Sequence, residues 1–298
     1  MKFKPKGILT AGLITLSIVV GIVIVGLSGL SVLEPTPNKV ISQYVQHPQP
    51  LALDPSHIVA KAAILYDPTN KQVLFEKNSN EPLPLASLTK LATAETALAQ
   101  EAPNVSITIT SADLLPGGDW RLHVGDKLSL FQLLQMGFVA SSNDAMAAVA
   151  ASMGPNAVEE INATTENLGL TQMTFANPTG LDVSTTTAGA YGSAYDVALL
   201  ATDFYKTYPR YFELTQKSSV SVNDNGRILT SPATDAPLLS IPSLIAAKTG
   251  YTDLAGGNLV AIFDLEIGHP LVAVVLGSTE TGRFSDIQTL IAAAQQSL

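Results

Sequence analysis

Apolar and polar positions divide the chain into four stretches. Ile8 to Leu33 carries no charge over 26 residues, about 39 Å as a helix against a hydrocarbon core of roughly 30 Å, which predicts a membrane-spanning segment over 1–33. Residues 34–55 are polar and proline-rich ("EPTPNKVISQYVQHPQPLALDP"), as in an extended linker. From residue 56 the pattern is that of a folded domain. "IVAKAAILYDPTNKQVLFEKN" reads as two strands around the turn Asp67-Pro68-Thr69-Asn70, and Pro82 and Pro84 hold off any helix until about Leu85.

Between about residues 128 and 202 the apolar spacing is helical. "LSLFQLLQMGFVA", "DAMAAVAASMG", "AVEEINATTENLGL" and "SAYDVALLATDFYK" follow one another, with Gly154 and Gly169 as stops. Strands return from about residue 217, and "LIAAKTG", "GGNLVAIFDLE" and "PLVAVVLGST" precede a closing amphipathic helix, "FSDIQTLIAAAQQSL". Strand runs at both ends around a helical middle predict an α+β domain over 56–298. Its antiparallel sheet has about five strands drawn from both ends, flanked by helices, with a helical lobe inserted.

Composition narrows the chemistry. The 298 residues include no cysteine, which excludes disulfides, thiolate metal sites and a cysteine nucleophile. Net charge is −9, and because the first 33 residues hold three lysines and no acid, the remainder carries −12. A body that acidic repels phosphate backbones, so no nucleic-acid partner is expected. Lys2, Lys4 and Lys6 before the apolar run place it with the lysines in the cytoplasm. The expectation is a single-pass cell-membrane protein whose domain is extracytoplasmic. Ser28, Gly29 and Ser31 leave cleavage open, but the run exceeds a signal peptide's usual 7 to 15 apolar residues, which favours an uncleaved signal anchor.

Three short patterns carry candidate chemistry. In "LASLTKLATAETAL", Ser87 and Lys90 stand three apart, neighbours on one helical face. A serine hydroxyl needs an adjacent base, and a lysine serves only when neutral, which near pH 7 asks for a pKa about three units below its ordinary value of about 10.4; burial and a second cation are the available causes. In "VASSNDAMAAVA", Ser141 offers a hydroxyl to relay a proton and Asn143 an amide to hold a substrate amide, although Ser or Asn before an alanine-rich helix also suits a cap. Lys248-Thr249-Gly250 ends a β-run, where a cation and a hydroxyl can bind a carboxylate and a glycine permits close approach of substrate backbone. Ser221 and Asn223 repeat the middle pattern in a strand-like run and are set aside. His123 and His269 lie near turn glycines without partners in a ligand spacing and read as surface residues, Trp120 as packing, and Glu95 has no assigned role.

With Ser-x-x-Lys, Ser-x-Asn and Lys-Thr-Gly in that order, residues 56–298 resemble the penicillin-recognising serine hydrolases. "AAILYDPTNKQVLFEKNSNEPLPLASLTKLATA", "LGLTQMTFANPTGLD" and "AAKTGYTDLAGGNLV" narrow the resemblance to the D-alanyl-D-alanine carboxypeptidases, the low-molecular-mass penicillin-binding proteins. The resemblance implies a β-lactamase/DD-peptidase-like fold and an acyl-enzyme on Ser87, with Lys90 as base and Ser141 as relay. Asn143 would orient the penultimate amide of a peptidoglycan stem peptide ending in D-Ala-D-Ala. Lys248, Thr249 and Arg283 would serve the terminal carboxylate, Gly250 would line the cleft, and the N–H groups of Ser87 and Tyr251 would form the oxyanion hole. β-Lactam antibiotics would be covalent inhibitors, and no metal or organic cofactor is implied.

A β-lactamase shares the three motifs but expects a Glu-x-x-Leu-Asn loop, which none of Glu159, Glu160 or Glu166 fits. A non-catalytic surface-binding domain is the reading from another class, although no motif is broken. Relatives often carry a bulkier residue where Gly257 stands, and the "NPTGLD" turn at Asn177–Asp182 is expected to shape the cleft edge.

Overall fold

In this computed structural model, residues 51–114, 121–241 and 243–297 are described. The expected membrane segment (1–33), most of the linker and Trp120 lie outside them. Among the described residues no helix is long and apolar enough to cross a membrane.

The central sheet takes β1 (Ala62–Asp67) and β2 (Gln72–Lys77) from the start of the domain and β3 (Leu244–Thr252), β4 (Gly256–Asp264) and β5 (Pro270–Ser278) from its end. All neighbours are antiparallel, in the order β3-β4-β5-β1-β2. The join between the two ends runs from Ala62 opposite Leu276 to Tyr66 opposite Val272. The expected five-stranded sheet is thus present.

These strands read as continuous apolar runs because both sheet faces are covered. Alternate residues point to opposite faces. Ile64, Ile262 and Val274 pack into one core with the inserted helices, while Leu65, Phe263 and Val275 pack into a second with Ile287, Leu290 and Ile291 of the closing helix. The helices are α1 (Thr89–Gln100), α2 (Leu130–Val139), α3 (Asn143–Ser152), α4 (Ala157–Asn167), α5 (Ala194–Thr207), the one-turn α6 (Pro209–Phe212) and the closing α7 (Gly282–Ser297). Gly154 and Gly169 follow α3 and α4 with positive φ, as the stop reading requires.

Two buried side chains tie distant segments to the sheet. Asp286 of α7 accepts from the backbone N–H groups of Val59 and Ala60 and from the Ser278 hydroxyl. Asn258 of β4 donates to Pro84 O at 2.8 Å and accepts from Gly277 N, fixing the chain just before Ser87 against the sheet. His269, expected at the surface, is partly buried and lies 2.9 Å from buried Asp67, linking the β4–β5 turn to the β1–β2 turn. Asp67 also accepts from Thr69 and Asn70 N–H, which is why that tetrapeptide turns.

Glu95 on α1 is 7% exposed, and one of its carboxylate oxygens is buried without a partner among the described residues. Burial first, and the nearby Asp203 second, push its carboxyl up to about 7. The folded chain therefore holds this proton more tightly than the unfolded one, so stability is full below about pH 4.5 and falls as pH rises to about 7. Glu95→Gln is expected to remove that fall. Denaturation midpoints at pH 5 and pH 8 should differ less in the variant, by roughly 2 kcal/mol of unfolding free energy.

Candidate active site

Ser87 sits on a 3-10 turn (Ala86–Leu88) that runs straight into α1, rather than on the α-helix itself. Ala86 has φ 47°, a left-handed conformation that costs an alanine about 1 kcal/mol or more and turns the serine toward the cleft. Lys90 in the first turn of α1 is fully buried, and its Nζ donates to Ser87 Oγ at 2.6 Å, to Asn143 Oδ1 at 2.7 Å and to the Thr179 carbonyl at 3.1 Å. Buried among the apolar residues of this segment, the Lys90 amine thus stands among three oxygen atoms.

The loop between α2 and α3 serves two purposes at once. Ser142 caps α3, accepting from Ala145 N at 3.1 Å. Ser141, at φ 57°, and Asn143 face the cleft on either side of it. Capping therefore falls to the middle residue and leaves the flanking two for chemistry. Asn143 engages Lys90 through Oδ1, so the amide turns its acceptor inward rather than offering both groups to a ligand.

β3 closes the opposite side. Lys248 is 1% exposed and donates to Ser141 Oγ and to the Thr249 carbonyl, each at 2.9 Å. Thr249 Oγ1 donates to Thr234 Oγ1 at 2.7 Å, and Arg283 of α7 donates to the Gly250 carbonyl at 2.8 Å. Tyr251 is 46% exposed at the rim. Burial pushes Lys248 down to about 7, with Asp235 opposing and Arg283 assisting the shift. Arg283 is also lowered, by burial first. The structure thus brings Ser87, Lys90, Ser141, Asn143, Lys248, Thr249, Gly250, Tyr251 and Arg283 to one cleft.

Gly250 has a use the sequence reading placed elsewhere. A β-carbon there would stand 3.0 Å from Leu85 O and 3.1 Å from Ser87 N, so the glycine lets β3 pack against the nucleophile turn. Close approach to substrate was the expected reason; the close neighbour is the chain itself.

The sequence model of the D-alanyl-D-alanine carboxypeptidase family matches residues 48–280. The chain belongs to that family. Carboxypeptidase DacF of Bacillus subtilis is 33% identical over 221 residues, covering 68% of this chain and 53% of the relative, and carboxypeptidase DacC of Escherichia coli is 30% identical over 253 residues, covering 78% and 60%. The chain thus spans little more than half the length of these curated relatives. Penicillin-binding protein D2 of Listeria monocytogenes, solved in an ampicillin-bound form, superposes with a TM-score of 0.69 at 27% identity, covering 80% of this chain and 97% of that one.

Within this carboxypeptidase family member the sequence reading missed several contributors. The Asn177–Asp182 turn does more than edge the cleft. Asn177 Oδ1 accepts from Thr179 N, Thr179 Oγ1 and Gly180 N, and the turn so formed presents the Thr179 carbonyl to Lys90. Asp182 then accepts from Thr252 Oγ1 and Leu254 N, tying the same turn to the end of β3. The asparagine-proline-glycine spelling signals a turn but not its neighbour. Gly257 is also explained, since a β-carbon there would overlap the Thr279 carbonyl, so this member has no room for a bulkier residue.

Proposed function

We propose that the protein is a serine-type D-Ala-D-Ala carboxypeptidase of peptidoglycan stem peptides that is acylated and inhibited by penicillin. The 2.6 Å contact between Lys90 Nζ and Ser87 Oγ, inside a buried three-acceptor cage, carries the reading. In the first step Lys90 acts as the neutral amine, its lone pair toward Ser87 Oγ in place of the donated hydrogen bond, and takes the hydroxyl proton while Ser87 Oγ attacks the carbonyl carbon of the penultimate D-alanine. The negative oxygen that forms faces the backbone N–H groups of Ser87 and Tyr251, a type of contact worth about 3 to 4 kcal/mol per donor. The C–N bond then breaks, Ser141 gives its hydroxyl proton to the departing nitrogen and takes in its place the proton that Lys90 received from Ser87, and D-alanine leaves with Lys90 neutral again. Water on the ester of Ser87 repeats the sequence in reverse and frees the shortened peptide.

Lys248, Thr249 and Arg283 hold the terminal carboxylate, and Asn143 positions the amide. In the same reading, residues 1–33 anchor the chain in the cell membrane, a role supported by the uncharged run from Ile8 to Leu33 behind three lysines. Alkaline extraction of membranes from cells making the full chain tests it, and a chain released by carbonate overturns it.

Mass spectrometry after incubation with benzylpenicillin, and separately with a peptide ending in D-Ala-D-Ala, tests the activity. The expected result is a long-lived penicillin adduct on the peptide containing Ser87, together with release of D-alanine. Rapid penicillin turnover would instead indicate a β-lactamase, and no adduct a binding domain. Lys248→Ala removes a charge-assisted hydrogen bond to the carboxylate and is expected to lower kcat/KM for the peptide about 10- to 100-fold, together with a lowered melting temperature because the position is buried and Asp235 loses its cation. An unchanged kcat/KM removes Lys248 from the site.

A further inference from the structure

Asp235 stands out as a buried acid with no structural employment. It is 2% exposed, and both its carboxylate oxygens are buried without a hydrogen-bond partner among the described residues. Such a group is ordinarily destabilising, so its presence asks for a reason.

The obvious reason fails. Asp235 precedes the 3-10 turn Ala236–Leu238, where an aspartate side chain usually caps, but here it makes no capping bond. The backbone on either side is locked: Thr234 N donates to the Val139 carbonyl, Thr234 Oγ1 accepts from Thr249, and Leu238 N donates to the Asp235 carbonyl at 2.8 Å. The carboxylate therefore cannot swing out to water, and the residue before it already touches the motif that holds Lys248.

The charged groups acting on Lys248 are few. Asp235 opposes its loss of a proton, and Arg283 from α7 favours that loss. Arg283 is itself influenced by Glu280 and Tyr251. The α2–α3 loop meets Lys248 with the neutral Ser141 hydroxyl, the turn Glu213–Gln216 meets β3 with the Thr215 hydroxyl on Ala247 N, and the nucleophile turn contributes Ser87 with Lys90 behind it. Among these Asp235 is the acid that acts on Lys248; burial pushes its own carboxyl up to about 7, with Lys248 and its own backbone N–H opposing that rise.

We propose that Asp235 is a positioning residue of the cleft, the buried counter-charge that keeps Lys248 protonated and so sets the upper pH limit at which the site holds a substrate carboxylate. The inference rests on the proposed carboxypeptidase reading. A lysine this buried, with an arginine beside it, needs a negative partner to remain an ammonium at neutral pH. A carboxylate held clear of other donors keeps its field for that partner.

Asp235→Asn preserves shape and removes the charge. The alkaline limb of kcat/KM for a D-Ala-D-Ala peptide is expected to move down by about one pH unit. At pH 8 KM should rise roughly tenfold, against a several-fold smaller change at pH 6. Asp235→Glu should restore most of the limb. A purely structural role would lower activity at every pH and leave the limb in place, and that result overturns the proposal. A measurement on the unaltered protein guards against a variant that does not fold. Lys248 15Nζ and Asp235 carboxyl 13C signals, followed by NMR across pH 5 to 9, should report shared titration steps, and independent titration also overturns the proposal. Should the unaltered chain neither release D-alanine nor bind penicillin, the functional reading fails, and the NMR titration still decides whether the pair exists.

Discussion

Ser87→Ala is expected to abolish both the penicillin adduct and D-alanine release, a loss on the order of 10⁴-fold or more, because the atom that forms the acyl bond is gone. The fold should be almost untouched. Ser87 Oγ receives one hydrogen bond from Lys90, whose Nζ keeps Asn143 and the Thr179 carbonyl as acceptors. One such bond contributes about 1 kcal/mol, so the melting temperature should move by a few degrees at most. Intact-mass labelling with benzylpenicillin beside a melting curve checks both halves. An alanine variant that labels as well as the parent would remove Ser87 as nucleophile.

Gly180→Ala is the second large effect, and it acts from outside the reacting atoms. Gly180 has φ +80°, where any β-carbon is strained, and a β-carbon there would overlap the Ala86 carbonyl oxygen and crowd Thr89 Oγ1 at 2.6 Å. Backbone lies on both sides of the clash, so no flexible side chain can yield. The cost in stability is about 1 to 3 kcal/mol for overpacking with roughly 1 kcal/mol more for the backbone. Relief must come from the Ala86–Ser87 turn or from the Thr179 carbonyl that Lys90 uses, and a shift near 1 Å at a reacting group costs about 10²-fold. The expected pattern is a kcat for D-alanine release down about 100-fold with a melting point lowered by several degrees. A folded variant of normal kcat would show that the turn is not the nucleophile's support.

What could be read from the sequence follows what each group has to do. Ser87, Lys90, Ser141, Asn143 and Lys248 were legible as candidates because each acts through a side-chain type, and types are what a sequence spells; the structure brings them into one hydrogen-bonded cluster. The sheet was legible because its strands are buried on both faces and their apolar runs are long. Thr179 was not, since it serves through a carbonyl that every residue owns. Asp235 lies in "SPATDAPLL", which carries the polar and proline spelling of a surface loop, and burial of one acid within it leaves no periodic trace. His269 was read as a surface residue because Asp67, its partner, is about 200 residues away in sequence and is brought close only by the pairing of β1 with β5.

The pairing of β1 with β5 also governs when the candidate site is assembled. Ile64 waits for Val274, and no local contact substitutes for that partner. At about 5 to 20 residues per second, roughly 10 to 40 s of synthesis separate the two strands. Throughout that interval Ser87 and Lys90 exist as neighbours in sequence, but the lysine, threonine and arginine that complete the cleft belong to segments not yet made. A partly made chain therefore lacks half of the candidate site, and because loops this long close slowly, the site is expected to form late in folding.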